Sequence, residues 1–209
     1  MSRKPMKNPY ARPDALTLRA KSEGYPARSV YKLEEIDRRC GLLRSGQRVL
    51  DLGCAPGSWL LYAAKRVGAK GSVRGVDLTT LAIAMPPNAI AIAGDAFDRD
   101  GSTFAFLREG APYDVVLSDM APSTTGNRFT DQARSAELVR RTLEIAEALL
   151  APGGAWVAKL FMSEELVEIR KQVRALFTEE RIIRPEGTRQ ISYEVFLVGL
   201  GRRRPPAAG

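Results

Sequence analysis

The sequence predicts an α/β fold built on a mostly parallel, seven-stranded sheet with helices on both faces. Three observations carry this expectation. Short apolar runs alternate with amphipathic stretches along the chain, a glycine-containing turn joins the first run to its helix, and acidic residues close successive runs. Parallel strands need crossover helices, so this alternation is the pattern that a parallel sheet imposes on a chain.

The elements follow in order. Residues 1–28 hold seven basic residues (Arg3, Lys4, Lys7, Arg12, Arg19, Lys21, Arg28) against Asp14 and Glu23, and read as a basic arm and first helix region. Residues 29–40, SVYKLEEIDRRC, predict a helix with Val30, Leu33 and Ile36 on one face, stopped by Gly41. A strand is predicted at 47–52, then the turn GCAPG and a helix over 58–67. Further strands are expected at 72–76, 89–93 and 113–118, a long helix over 131–150, and a PGG turn leading into a strand at 155–160. A helix over 163–177 and strands at 181–183 and 193–199 complete a domain expected to span 29–200. Residues 201–209, with Arg202, Arg203 and Arg204, read as a basic flexible tail.

A chain of 209 residues suits one domain with a substantial core. Its net charge of +8 favours a polyanionic partner, nucleic acid or an acidic membrane surface. No run approaches the roughly 20 apolar residues of a membrane span. The charged N-terminus lacks the apolar core of a secretory signal. Cys40 and Cys54 lack metal-ligand spacing, which suits a reducing cytoplasm and gives no reason to expect a metal. Histidine is absent, which excludes Ser-His-Asp and Cys-His catalysis. Proton chemistry falls to Lys, Asp, Glu or Tyr.

In parallel sheets ligands bind beyond the carboxyl ends of the strands. Asp51, Asp77, Asp95 and Asp119 stand at or near four such ends and predict a cleft lined with carboxylates. The segment VLDLGCAPGSW (49–59) is a strand, a glycine turn and a helix start. It is neither the GxGxxG of dinucleotide binding nor a P-loop. Taken alone, the turn is equally compatible with an ordinary tight connection.

DLGCAPGSW resembles the S-adenosylmethionine motif of Rossmann-like methyltransferases, in the form found in the RrmJ/FtsJ family of RNA 2′-O-ribose methyltransferases. Other segments are similar to the same family in the same order: SVYKLEEID (29–37), LSDMAP (117–122), VAKLF (157–161) and PEGTRQISYEVFLV (185–198). The resemblance implies a Rossmann-like methyltransferase fold and a catalytic tetrad of Lys32, Asp119, Lys159 and Glu194. It also implies cofactor contacts from Asp51, Gly53, Gly57, Trp59, Asp77, Asp95 and Asp119. Gly53, Gly57 and Trp59 would surround the methionine end, Asp77 would hold the ribose and Asp95 the adenine amine. Three departures stand out. Cys54 and Ser58 replace small residues in the turn, Ser123-Thr124-Thr125-Gly126 follows SDMAP where Asn-Met-Ser-Gly is common, and Thr188 precedes Arg189 in place of serine.

The implied activity is methylation of a ribose 2′-hydroxyl by S-adenosylmethionine. The implied substrate is 23S ribosomal RNA in the 50S subunit, at an A-loop uridine, with a monomeric enzyme and neither membrane nor DNA as partner. Alternatives are transfer RNA or another ribosomal RNA site, a non-catalytic RNA-binding assembly protein, and a nicotinamide oxidoreductase. Singly, Lys32 reads equally as a solvated helix lysine, Asp119 as a helix cap, and Glu194 as an outward strand residue. The ordered set is what gives them a common chemistry.

Overall fold

The computed structural model describes residues 14–186, 188 and 192–204. Arg3, Lys4, Lys7 and Arg12 of the basic arm, and Arg189, lie outside these residues. The elements are α1 (Ala15–Ser22), α2 (Val30–Cys40), β1 (Arg48–Leu52), α3 (Ser58–Val67), β2 (Ser72–Asp77), β3 (Ala89–Ala93), α4 (Ser102–Glu109), β4 (Tyr113–Ser118), α5 (Arg128–Leu149), β5 (Leu150–Phe161), α6 (Glu165–Leu176), β6 (Phe177–Ile183) and β7 (Glu194–Arg202). The seven strands form one sheet in the order β3-β2-β1-β4-β5-β7-β6. Strands β1 to β5 are parallel, and β7 runs antiparallel to both β5 and β6.

Side chains alternate across a strand, so each central strand feeds two cores. Val49, Val115, Val157, Phe196 and Val198 pack with Leu33 and Ile36 of α2 and with Leu60, Ala63 and Val67 of α3. On the opposite face Leu50, Leu52, Val116, Trp156 and Leu197 pack with Leu107 of α4, Val139 and Leu143 of α5, and Ile169 and Val173 of α6. Both faces are therefore covered, as the sequence predicts. Burying each such large side chain contributes about 1.5–3 kcal/mol.

Several boundaries differ from expectation, each for a local reason. Helix α5 starts at Arg128 rather than 131 because Asn127 caps it, its Oδ1 accepting from Thr130 N at 3.2 Å. Asp131, in its first turn, accepts from the Thr125 amide and hydroxyl at 2.8 and 2.9 Å. These bonds, led by the Thr125 amide, hold its carboxyl below the ordinary range. The PGG segment lies within β5 as an irregularity. Tyr113 of β4 pairs with Leu150 and Val115 with Ala155, so the extra residues bulge out between them. Strand β6 begins at Phe177 rather than 181, since Phe177 is buried and stacks on Trp156 at 6.1 Å. Strand β7 continues through Arg202, paired with Phe177.

Helix α4 has no counterpart among the predicted elements. Its eight residues span about two turns, too short for a periodic signal. Asp98 starts it, accepting from Gly101 N at 2.7 Å and Thr103 N at 3.0 Å. Helix α1 gives residues 15–22 definite form, with Asp14 accepting from Thr17 N at 2.9 Å and pairing with Arg28.

Candidate active site

Strands β2 and β4 flank β1 on opposite sides, so the connections leaving β1 and β4 diverge and open a crevice at their carboxyl ends. A cleft of about 520 Å³ lies there. Asp77, Asp95 and Asp119 line it, together with Gly53 and the apolar groups of Val76, Leu78, Phe97, Met120 and Leu138. Gly53 has φ +76°, and a Cβ there would lie 2.4 Å from Met120 Cγ. Only glycine lets the backbone pass so close at that dihedral.

The acids are held by backbone amides. Asp77 Oδ2 accepts from Ala55 N at 3.0 Å and its Oδ1 from Thr79 N at 2.8 Å, while Asp95 Oδ1 accepts from Phe97 N at 2.9 Å. Asp51 differs. It lies one residue inside the end of β1, between Gly75 and Leu117, fully buried and away from the cleft lining. Neither carboxyl oxygen has a hydrogen-bond partner among the described residues. Burial pushes its carboxyl well above the aspartate range, and the charges of Asp119 and Asp77 push the same way.

That displacement has a thermodynamic consequence. Between the ordinary aspartate value and the raised one, the native chain holds a proton that the unfolded chain has lost. Stability therefore falls as pH rises through that window. Asp51→Asn removes the linkage. Its melting temperature is expected to decline less than that of the wild type as pH is raised above the ordinary aspartate range. Parallel melting profiles for the two proteins would remove Asp51 as the source.

Four groups meet at the neighbouring edge of the sheet. Lys159 interrupts the apolar run of β5 two residues before the strand ends, nearly buried, and its ammonium nitrogen donates to the Asp119 carbonyl at 2.6 Å and to Asp119 Oδ1 at 3.0 Å. Lys32 on α2 forms an ion pair with Glu194, the first residue of β7, although 162 positions separate them. Phe196 links the two pairs. It lies opposite Lys159 in the β5–β7 register, and Lys32 Nζ stands 5.9 Å from its ring centroid. Glu194 lies two residues along β7 from Phe196, on the same face.

The structure thus brings Lys32, Asp119, Lys159 and Glu194 together as two adjacent ion pairs. Gly53, Asp77, Asp95 and Asp119 line the cleft, whereas Asp51, Gly57 and Trp59 do not. Gly57 has φ +111° and turns its open side to Ile83, which a Cβ would meet at 2.6 Å. Trp59, expected beside the methionine end of the cofactor, is buried and packs on Phe196 at 5.6 Å. Its indole N–H donates to Ser29 O at 2.9 Å. Ser58 both accepts from Ala27 N at 2.8 Å and donates to Ala27 O at 3.0 Å. The Ser58-Trp59 pair therefore clamps the chain just before α2, the helix that carries Lys32. No residue pattern announces this, because all three bonds cross 30 or 31 positions of sequence.

The Ser123–Gly126 loop is tied back to α5 through Thr125 and Asp131 and through Arg134, which donates to Ser123 O at 3.3 Å. Among the described residues no group of three or more His, Cys, Asp or Glu is placed to hold a metal.

Known proteins resemble this chain along its whole length. Ribosomal RNA large subunit methyltransferase E of Sorangium cellulosum is 58% identical over 209 residues, covering 100% of this chain and 97% of the relative. The protein of that name from Oleidesulfovibrio alaskensis is 48% identical over 193 residues, covering 92% and 93%. A crystal structure described as a ribosomal RNA methyltransferase from Plasmodium falciparum superposes with a TM-score of 0.75 at 23% identity, covering 87% of this chain and 100% of that one, and supports the fold. The family model for FtsJ-like methyltransferase matches residues 25–202, from the clamp before α2 to the end of β7. With its α/β sheet, its strand-end cleft and this match in place, the chain belongs to the FtsJ-like methyltransferase family.

Proposed function

We propose that this chain methylates a ribose 2′-hydroxyl of large-subunit ribosomal RNA, with S-adenosylmethionine as donor. The observation that carries the reading is the juxtaposition of the Lys159–Asp119 and Lys32–Glu194 pairs with an acid-lined cleft at one sheet edge. The names of the similar methyltransferases support the choice of RNA. The finer assignment, an A-loop uridine of 23S RNA in the 50S subunit, follows the resemblance seen in the sequence.

The residues fit the donor. Three carboxylates on the cleft wall call for a ligand carrying positive charge. Asp77 would accept from ribose hydroxyls and Asp95 from the adenine amine, between the apolar walls of Leu78, Phe97 and Met120. When bound, S-adenosylmethionine supplies a methyl carbon activated by a sulfonium, with a neutral thioether as leaving group. Asp51 supports this pocket from behind rather than by lining it.

In-line displacement depends on holding the reactants at near-attack distance. Asp119 faces both the cleft and Lys159, so it couples donor to acceptor. In its ion pair Lys159 is an ammonium and must first release a proton to solvent; the amine that remains has two hydrogens, and Asp119 offers two acceptors for them. The nitrogen lone pair is then left to take the proton from the 2′-hydroxyl as its oxygen attacks. Lys32 and Glu194 fix the hydroxyl from the other side of Phe196. Basic residues of the 1–28 segment would draw in the RNA backbone, making binding salt-sensitive. Among the described residues no helix is long and apolar enough to cross a membrane.

Tritium-methyl transfer to 50S subunits, 30S subunits and transfer RNA from a strain lacking the protein tests the reading, with the product mapped. Label on a 50S ribose is the expected result. Label on transfer RNA or 30S subunits alone would move the substrate, and label on a base alone would sink the ribose assignment.

A further inference from the structure

Beside the tetrad lies a second surface that methyl transfer itself does not use. Phe129, in the first turn of α5, is 80% exposed, and Met162 across from it is 42% exposed. They face a hollow of about 590 Å³ whose lining includes Arg128, Ser163, Glu164 and Glu165. A large aromatic ring left in water at a helix start contributes nothing to the core. Its neighbours prepare it for a flat partner.

The hollow is continuous with the reacting centre. Tyr193 immediately precedes Glu194, and its carbonyl accepts from Met162 N at 3.0 Å. The Tyr193 ring meets Phe161 edge-on at 4.9 Å, and Phe161 is the register partner of Glu194. The Arg128 guanidinium lies over the Tyr193 ring at 5.1 Å and has no carboxylate partner among the described residues. A track of planar groups thus runs from Glu194 through Tyr193 and Arg128 to Phe129.

We propose that this track seats a nucleobase neighbouring the methylated ribose, stacked on Phe129 and flanked by Arg128. The inference rests on the protein acting on RNA, and it adds the surface that fixes the strand's path. Charge selects base over backbone. Glu164 lines the same hollow beside Glu165, which is paired with Arg140; the Glu164 carboxylate repels a phosphate and accepts from the N–H groups of a base. Arg128, at the mouth beside Tyr193, stacks on or pairs with the strand as it leaves the centre.

The test measures binding of the full chain to a mixed-sequence single-stranded RNA decamer. Phe129→Ala is expected to weaken it about tenfold, the effect of one stacked base. The slope of log affinity against log salt should not change, because no phosphate contact is lost. Phe129→Trp is expected to keep the affinity and to lose its exposed-tryptophan emission as RNA is added. Melting temperatures should match the wild type, since Phe129 is exposed. Wild-type decamer affinity in Phe129→Ala, or emission from the Phe129→Trp variant that is indifferent to RNA, would overturn the proposal. Methyl transfer by the wild type to 50S subunits is measured alongside. Its absence with decamer binding intact counts against the enzymatic assignment and leaves the stacking site standing.

Discussion

Lys159→Ala is expected to lower methyl transfer by about three orders of magnitude, within the range for losing a positioned proton acceptor, while S-adenosylmethionine still binds. The nitrogen it removes is the one that Asp119 holds with two acceptors at 2.6 and 3.0 Å. Lys159 does not line the acid-bordered cleft, so cofactor affinity should change little. The deletion leaves the Asp119 carboxylate without its cation. Because that side chain is 18% exposed, water can reach it and the fold should survive. Lys159→Met keeps the stem and its packing and separates lost chemistry from lost volume. Single-turnover transfer to 50S subunits, with calorimetry for the cofactor, reads both effects. Near-normal turnover in both variants would remove Lys159 from the mechanism.

Trp156→Ala is expected to do the reverse, costing stability and sparing chemistry. Trp156 is fully buried, stacks on Phe177, and donates from its indole to Thr142 Oγ1 at 3.1 Å. Truncation leaves a large cavity in the α5–α6 core, while the Thr142 hydroxyl keeps its bond to Val139 O at 2.8 Å, a loss of about 3–5 kcal/mol. For a chain of this size the melting temperature should fall by on the order of 10 °C. Along β5, Trp156 and Lys159 point to opposite faces, so the tetrad should remain assembled at low temperature. Denaturation followed by tryptophan emission and assay of the folded variant at about 10 °C distinguish the outcomes. An unchanged melting temperature would contradict this account of the core.

The strands β3 and β4 and helix α3 match the residues that the sequence assigns to them, because their signals are local. Alternation and the glycine turn are set by neighbours within a few positions. Helix α4 and the early start of α5 were not legible, since both depend on single caps, Asp98 and Asn127. In the site, motif order grouped Lys32, Asp119, Lys159 and Glu194 but gave no pairing, and the structure sets them in two ion pairs. Trp59 shows the limit most clearly. Its motif suggested a cofactor contact, and the structure uses it with Ser58 to anchor the segment before Lys32.

The sequence by itself determined the α/β class and the absence of histidine chemistry, and it pointed to the cleft at the strand ends and to the four side chains proposed to act there. Tertiary structure alone decided that Lys159 bonds Asp119 while Lys32 bonds Glu194, that Asp51 is buried without a hydrogen-bond partner among the described residues, and that Phe129 stands in water next to the Arg128 that covers Tyr193. The reason is one of range. Periodicity and turn chemistry act over a few residues and are written in the chain. Burial and pairing depend on which distant faces the sheet brings together, as between positions 32 and 194, and exist only once it has closed.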